Sequence, residues 1–185
     1  AQLLLKTPKE RITLRVEGTG PLGGLVVEAD AFGHVRGYVK NPRAEVPLRE
    51  DGKLNVGALV GAGALRVDRS LPSGEVYTST VPLVSGEIAE DLAHYLWQSE
   101  QIPSAVLLGG RVGGGGGVGG AGGVAVQVMP GAKEEVLGRL EANLKDLPGL
   151  TPLLRERGLE GALEALLAGL GFERTDLRAL GYFQN

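Results

Sequence analysis

The groups best suited to chemistry in this 185-residue chain sit close together: Glu87, Glu90, Asp91 and His94 share one short stretch. Carboxylates beside an imidazole are the raw material of acid–base catalysis or of a metal site. The spacing argues for something simpler. A metalloprotease helix needs two histidines at i and i+4 with a glutamate between them, and this stretch has one histidine. Near the start of a helix the three acids complement the positive end of its dipole, and Glu90 and His94 stand one turn apart as a surface pair. Each such effect is worth only about 0.2–1 kcal/mol. The cluster reads as helix-end electrostatics.

A second candidate, Gly18-Thr19-Gly20-Pro21-Leu22-Gly23, matches G-x-G-x-x-G after an expected strand. A dinucleotide site also requires a helix directly afterwards, whose N-terminal N–H groups hold the pyrophosphate. Here Pro21 lies inside the loop and Leu25-Val26-Val27-Glu28 continues as a strand, so a glycine-bearing connection between two strands explains the pattern better. The Gly57, Gly61 and Gly63 segment lacks the Lys-Ser/Thr of a phosphate loop. His34 beside a turn and His94 on the helix lack an evident serine or carboxylate constellation. With no distinguishable acid, base or nucleophile, the chain reads as a non-enzyme without a catalytic residue.

The elements that would position these groups follow from periodicity. Ile12, Leu14 and Val16 alternate with Thr13, Arg15 and Glu17, the period-two pattern of a half-buried strand. Leu25–Asp30 and Val35–Val39 follow around the turn Asp30-Ala31-Phe32-Gly33, then come Leu65 with Val67, and Val76–Val84. Ser85 is the expected N-cap of the acidic helix and Pro103 its far boundary. On that helix Ile88, Ala89, Leu92, Ala93, Tyr95, Leu96 and Trp97 cover more than a single apolar stripe, so it is expected to run through the middle of a domain between two sheets. Val124, Val126 and Val128 form a further strand. After Pro130-Gly131 the period becomes helical: Val136, Leu137, Leu140 and Leu144 make one face. Thr151-Pro152 opens a second helix whose stripe is Leu159, Leu163, Leu166, Leu167 and Leu170, closed by Gly171. Strands followed by helices imply an α+β fold.

Composition narrows the function classes. A net charge of −3 and a pI near 5.5 leave no basic face for nucleic acid. No apolar run reaches the length of a membrane span, so no membrane partner is expected and the chain reads as soluble and cytoplasmic. Cysteine is absent, which removes thiol catalysis, disulfides and thiolate zinc sites from this chain. The opening Ala1-Gln2-Leu3-Leu4-Leu5-Lys6 reads like the last turns of a helix, and the sequence is therefore taken as a fragment. The glycine-rich run from Gly109 to Gly123 conflicts with its surroundings. Alone it reads as a flexible linker, but a long structureless loop inside a domain is suspect, and several of these glycines are expected to stand in place of other side chains.

Taken together the segments resemble the redox-regulated holdase chaperone family, the thirty-three kilodalton heat-shock proteins. The match runs through Gly18-Thr19-Gly20-Pro21-Leu22-Gly23-Gly24 with Glu28-Ala29-Asp30, and Val35-Arg36-Gly37-Tyr38-Val39 with Asn41-Pro42. It continues through Gly52-Lys53-Leu54-Asn55-Val56-Gly57, the whole of Val81–Val106, and Gly122-Gly123 with Gln127 and Pro130-Gly131-Ala132. The resemblance implies a layered β/α/β domain with a buried central helix over residues 1–131, lacking its N-terminal part, followed by a helical linker over 132–185. It implies an ATP-independent chaperone that binds unfolding client proteins. It also implies a zinc-binding, cysteine-bearing C-terminal domain as the redox switch, absent from this chain along with any cofactor or metal site of its own. Holdase capacity without redox control is therefore expected. The candidate client-binding residues are Leu159, Leu163, Leu166, Leu167, Leu170, Tyr182 and Phe183. Two alternatives stay open: these leucines pack on their own domain, or the stripe serves only self-association, for instance as a homodimer.

Overall fold

The computed structural model describes residues 4–5, 9–51, 53–112 and 118–173. They fall into two compact units, Ala1–Ser104 and Ala105–Asn185, and the architecture is α+β.

The first unit grows from the alternation in β1 (Arg11–Gly18), which buries Ile12, Leu14 and Val16. β2 (Leu25–Asp30) and β4 (Gly63–Ser70) pair with it on either side. β3 (Val35–Val39) and β5 (Val76–Pro82) form the edges of an antiparallel sheet ordered β3-β2-β1-β4-β5. Register sets Leu14 opposite Val27 and Val67, and Val16 opposite Leu25 and Leu65, so the apolar residues share one face. At the β2–β3 turn, Asp30 Oδ1 accepts from the N–H groups of Phe32 and His34, and His34 Nδ1 lies 2.9 Å from Asp30 Oδ2. His34 thus has a carboxylate partner that the spacing did not reveal, and the pair pins an exposed turn.

The glycine loop after β1 is a packing device. The short helix α1 (Val56–Val60) is capped by Asn55 Oδ1, which accepts from the Ala58 N–H. Its end turns carbonyls toward the loop: the N–H groups of Thr19, Gly20 and Leu22 donate to Ala62, Val60 and Leu59 at 2.9, 2.8 and 3.0 Å. The donors a phosphate would need are already used. A Cβ on Gly18 would run into the Val60 carbonyl, which explains the glycine there.

The acidic helix, α2 (Ile88–Glu100), begins later than expected. Gly86 at φ +75° turns the chain first, so Ser85 is not the N-cap; its Oγ accepts from the Glu87 N–H instead. Glu87 occupies the cap position, and its Oε1 accepts from the Gly57 N–H at 3.1 Å. Asp91 is fully buried, with Oδ1 accepting from the N–H groups of Val84 (2.7 Å) and Ser85 (3.3 Å). It is therefore an internal anchor rather than a surface charge on the dipole. Glu90 stays exposed. Gln101 in the left-handed region ends the helix, the Gln101 and Ile102 N–H groups returning to Trp97 and Leu96. Tyr95 and Leu96 are buried while Trp97 is 61 % exposed. The Tyr95 hydroxyl donates to Glu100 Oε1, which lies 3.3 Å from Arg69 Nη2 on the apolar-side face of β4. Arg69 Nη1 in turn meets Glu10 Oε1 at 2.7 Å and the Leu4 carbonyl at 2.8 Å.

In the second unit the described glycines of the run lie in strands. β6 (Ser104–Val112) and β7 (Val118–Gln127) pair as a two-stranded sheet that takes in most of these glycines. Strand pairing uses backbone groups alone, and the missing side chains admit neighbours closely. A Cβ on Gly122 would lie 2.7 Å from Leu154 Cδ1, and one on Gly109 would lie 2.9 Å from the Thr151 nitrogen. The helices α3 (Glu134–Asp146) and α4 (Leu150–Leu166) complete the unit.

Two outcomes follow. Burial, then the hydrogen bond to the Glu100 carboxylate, push the Tyr95 phenol up to about 12, against an opposing pull from Arg69. The neutral phenol therefore stabilises the fold fully below the unfolded value of about 10 and progressively less as pH rises through 10 toward 12. Alkaline absorbance titration should show one tyrosine step near 12 that vanishes in Tyr95→Phe; an unchanged titration would refute the assignment. Asp91→Ala removes the buried acceptor that the Val84 and Ser85 N–H groups share and should cost about 1–3 kcal/mol in urea unfolding, whereas Asp91→Asn, which keeps an acceptor, should cost less.

Candidate binding surface

The second unit packs its helices through a small apolar core. Val124, Leu150, Leu153, Ala162 and Leu166 are buried, with Leu107, Leu140, Leu144, Leu147, Leu154 and Leu163 against them. The α3 residues here, Leu140 and Leu144, are one turn apart on the face read from the sequence. Asn143 on the same helix donates from Nδ2 to the carbonyls of Leu166 and Ala168, both at 2.9 Å, and so satisfies the C-terminal end of α4. No sequence signal singled out that asparagine, because its partners lie on another helix.

α4 starts one residue before the Thr151 cap that the sequence suggests, with Gly149 at φ +100° in the cap position. Thr151 lies inside the helix, and its Oγ1 accepts from the Gly110 N–H at 3.2 Å, tying α4 to β6. Gly158, at φ +66° and ψ −172°, breaks the helix in two, so Leu159 opens the second segment. The turn that closes the helix carries its left-handed glycine at Gly169, not at Gly171.

This geometry divides the leucine stripe. Leu166 is 1 % exposed in the core and Leu163 packs against it. Leu167 and Leu170 are half-buried, and Leu159, just past the kink, is 52 % exposed. Tyr182 and Phe183 lie outside the described residues. The stripe is therefore divided: its second half builds the unit and its first residue faces solvent. Leu108, Met129, Val136 and Phe172 are further exposed apolar residues of this unit. The unit also has a hollow of about 300 Å3 between Gly109, Gly110, Gly119, Gly120 and the α4 residues Thr151, Leu154 and Arg155. Among the described residues no helix is long and apolar enough to cross a membrane.

Comparison with known proteins places this geometry. The family described as Hsp33 protein matches residues 1–184. A 33 kDa chaperonin of Thermus thermophilus is 96 % identical over 185 residues, all of this chain and 54 % of the relative. One from Deinococcus radiodurans is 50 % identical over 175 residues, 94 % of this chain and 59 % of its own. The crystal structure of the 33 kDa chaperonin (heat shock protein 33 homolog) of Thermotoga maritima superposes with a TM-score of 0.83 at 45 % identity, covering 90 % of this chain and 58 % of that one. The chain spans about half the length of the curated relatives it matches.

The divided stripe sets a contrast. Leu166→Ala should cost about 2–5 kcal/mol through the cavity it leaves, whereas Leu159→Ser should stay within about 0.5 kcal/mol of the parent. Chemical denaturation of both variants checks this, and equal losses would contradict the division.

Proposed function

The chain belongs to the Hsp33 protein family, and on that premise we propose that it is an ATP-independent holdase that binds unfolding proteins and keeps them from aggregating. The observation that carries the reading is the family match over residues 1–184. Leu159, Met129 and Phe172, all at least half exposed in the second unit, support it, since apolar surface of this kind is what an unfolded chain can bind.

The family's redox switch has no counterpart in these residues. Cysteine is absent, and among the described residues no three His, Cys, Asp or Glu side chains gather as a metal site. Zinc does not fit here. In our reading it belongs to the part of the relatives that this chain does not span, and capture of clients by this chain is independent of oxidation.

Light scattering of a heat-denatured client should fall as the chain is added in stoichiometric amounts, equally with and without peroxide. Leu159→Ser should weaken the suppression at unchanged stability. Absence of suppression, or suppression that requires peroxide, would overturn the proposal. Sedimentation should show a chain–client complex, and dimers without one would favour self-association instead.

A further inference from the structure

The five-stranded sheet has a second, polar face, on which four arginines share two carboxylates while Asp30 and Glu17 of the same face pair with His34 and Lys40. Arg11 and Arg36 share Glu28, at 3.5 and 2.8 Å from Oε1. Arg15 and Arg66 share Asp68, with Nε atoms 3.2 and 2.8 Å from its two oxygens. Four guanidiniums thus meet two carboxylates in a chain of net charge −3. Arg15 and Arg66 are direct cross-strand partners, an arrangement that is unfavourable for like charges unless something lies between them. Asp68 fills that role, and Thr78 Oγ1 fixes it by donating to Oδ1 at 2.7 Å. Burial would raise the Asp68 carboxyl, but the hydrogen bonds from Thr78, Arg66 and Arg15 outweigh it and hold the group below its ordinary value.

The pinned arginines keep something in reserve. Both use Nε on Asp68, and their Nη groups engage no other described residue. In the same row the register places Val26 beside Arg15 and Tyr38 beside Val26. Tyr38 is 60 % exposed. A hollow of about 400 Å3 opens here, lined by Thr13, Arg15, Val26, Glu28, Arg36 and Tyr38 among others. A row across four strands measures about 14 Å, the reach of a few extended residues.

We propose that this face is a docking surface for a polypeptide segment that carries both acidic and apolar side chains. Its carboxylates take the Nη groups of Arg15 and Arg66, and its apolar side chains lie on Tyr38 and Val26. The face favours a carboxylate over a phosphate chain for two reasons. Its arginine pairs already take carboxylates in this geometry, and the Tyr38–Val26 floor gives a bare phosphate chain nothing to contact. The residues all belong to the first unit and are separate from α4, so the surface stands whether or not Leu159 binds clients.

Fluorescence anisotropy with the full 185-residue chain tests this, using a labelled unstructured peptide of mixed Glu, Val and Phe, its Gln-for-Glu analogue and an oligothymidylate. The acidic peptide should bind in a salt-sensitive manner and the analogue should not. Arg15→Gln with Arg66→Gln should weaken binding at least about tenfold, as expected for lost charge-assisted hydrogen bonds. Arg66→Gln alone, which leaves Arg15 on Asp68 and so guards against misfolding of the double variant, should weaken it by a smaller factor at unchanged circular dichroism. Tyr38→Ser should also weaken it, and Arg155→Gln on α4 should not. Equal binding of the analogue, full binding by the arginine variants, or an oligothymidylate bound as tightly as the peptide would each overturn the proposal.

Discussion

The first unit depends on one largely buried guanidinium. Arg69 joins three segments far apart in sequence: Glu10 and the Leu4 carbonyl before β1, its own strand β4, and Glu100 at the end of α2. Burial would lower its affinity for the proton, but the hydrogen bond and charge of Glu10 and the charge of Glu100 raise it instead. Desolvating an ion costs several kcal/mol unless partners and hydrogen bonds compensate. Here the planar fork lets one group meet two carboxylates and a carbonyl at once, which an ammonium group could not do in the same geometry. Tyr95 completes the set through Glu100. The helix is thereby tied to the sheet by polar geometry, and Leu96 next to Tyr95 is buried as well.

The same logic governs the features that most resemble a catalytic site. Asp91, Glu87 and the glycine loop each meet a backbone group that folding would otherwise leave unpaired: Asp91 the amides of Val84 and Ser85, Glu87 that of Gly57, and the loop the carbonyls at the end of α1. Buried amides and carbonyls must find partners, and a tight turn into a helix exposes several of them. Side chains recruited for that task have the composition of an acid–base cluster, and here Asp91 and Glu87 accept from backbone N–H groups. A reader of the sequence sees the composition; the partners come from segments up to thirty residues away.

The legible part of the chain was the part governed by short-range period. The alternation in β1 and the apolar positions of β2 and β4 gave the sheet its buried face, and Leu140 with Leu144 gave α3 its inward side. What could not be read there was where α4 bends. Gly158 looks like any other glycine in a leucine-rich run, and only its left-handed conformation separates Leu159 from the core leucines that follow. The arginine face was half legible. Arg11, Thr13 and Arg15 alternate visibly, but Asp68 and Arg66 join them only through a strand pairing across more than fifty residues.

The sequence by itself determined the α+β class, the strands and helices, the absence of thiol chemistry and the family. Those follow from local periodicity, composition and the order of motifs, all of which survive in one dimension. Tertiary structure alone decided which acids were anchors, which leucines were core and which arginines share a carboxylate. Each of those depends on a partner brought near by folding, and a buried carboxylate and an exposed one are the same letter until the chain closes around one of them.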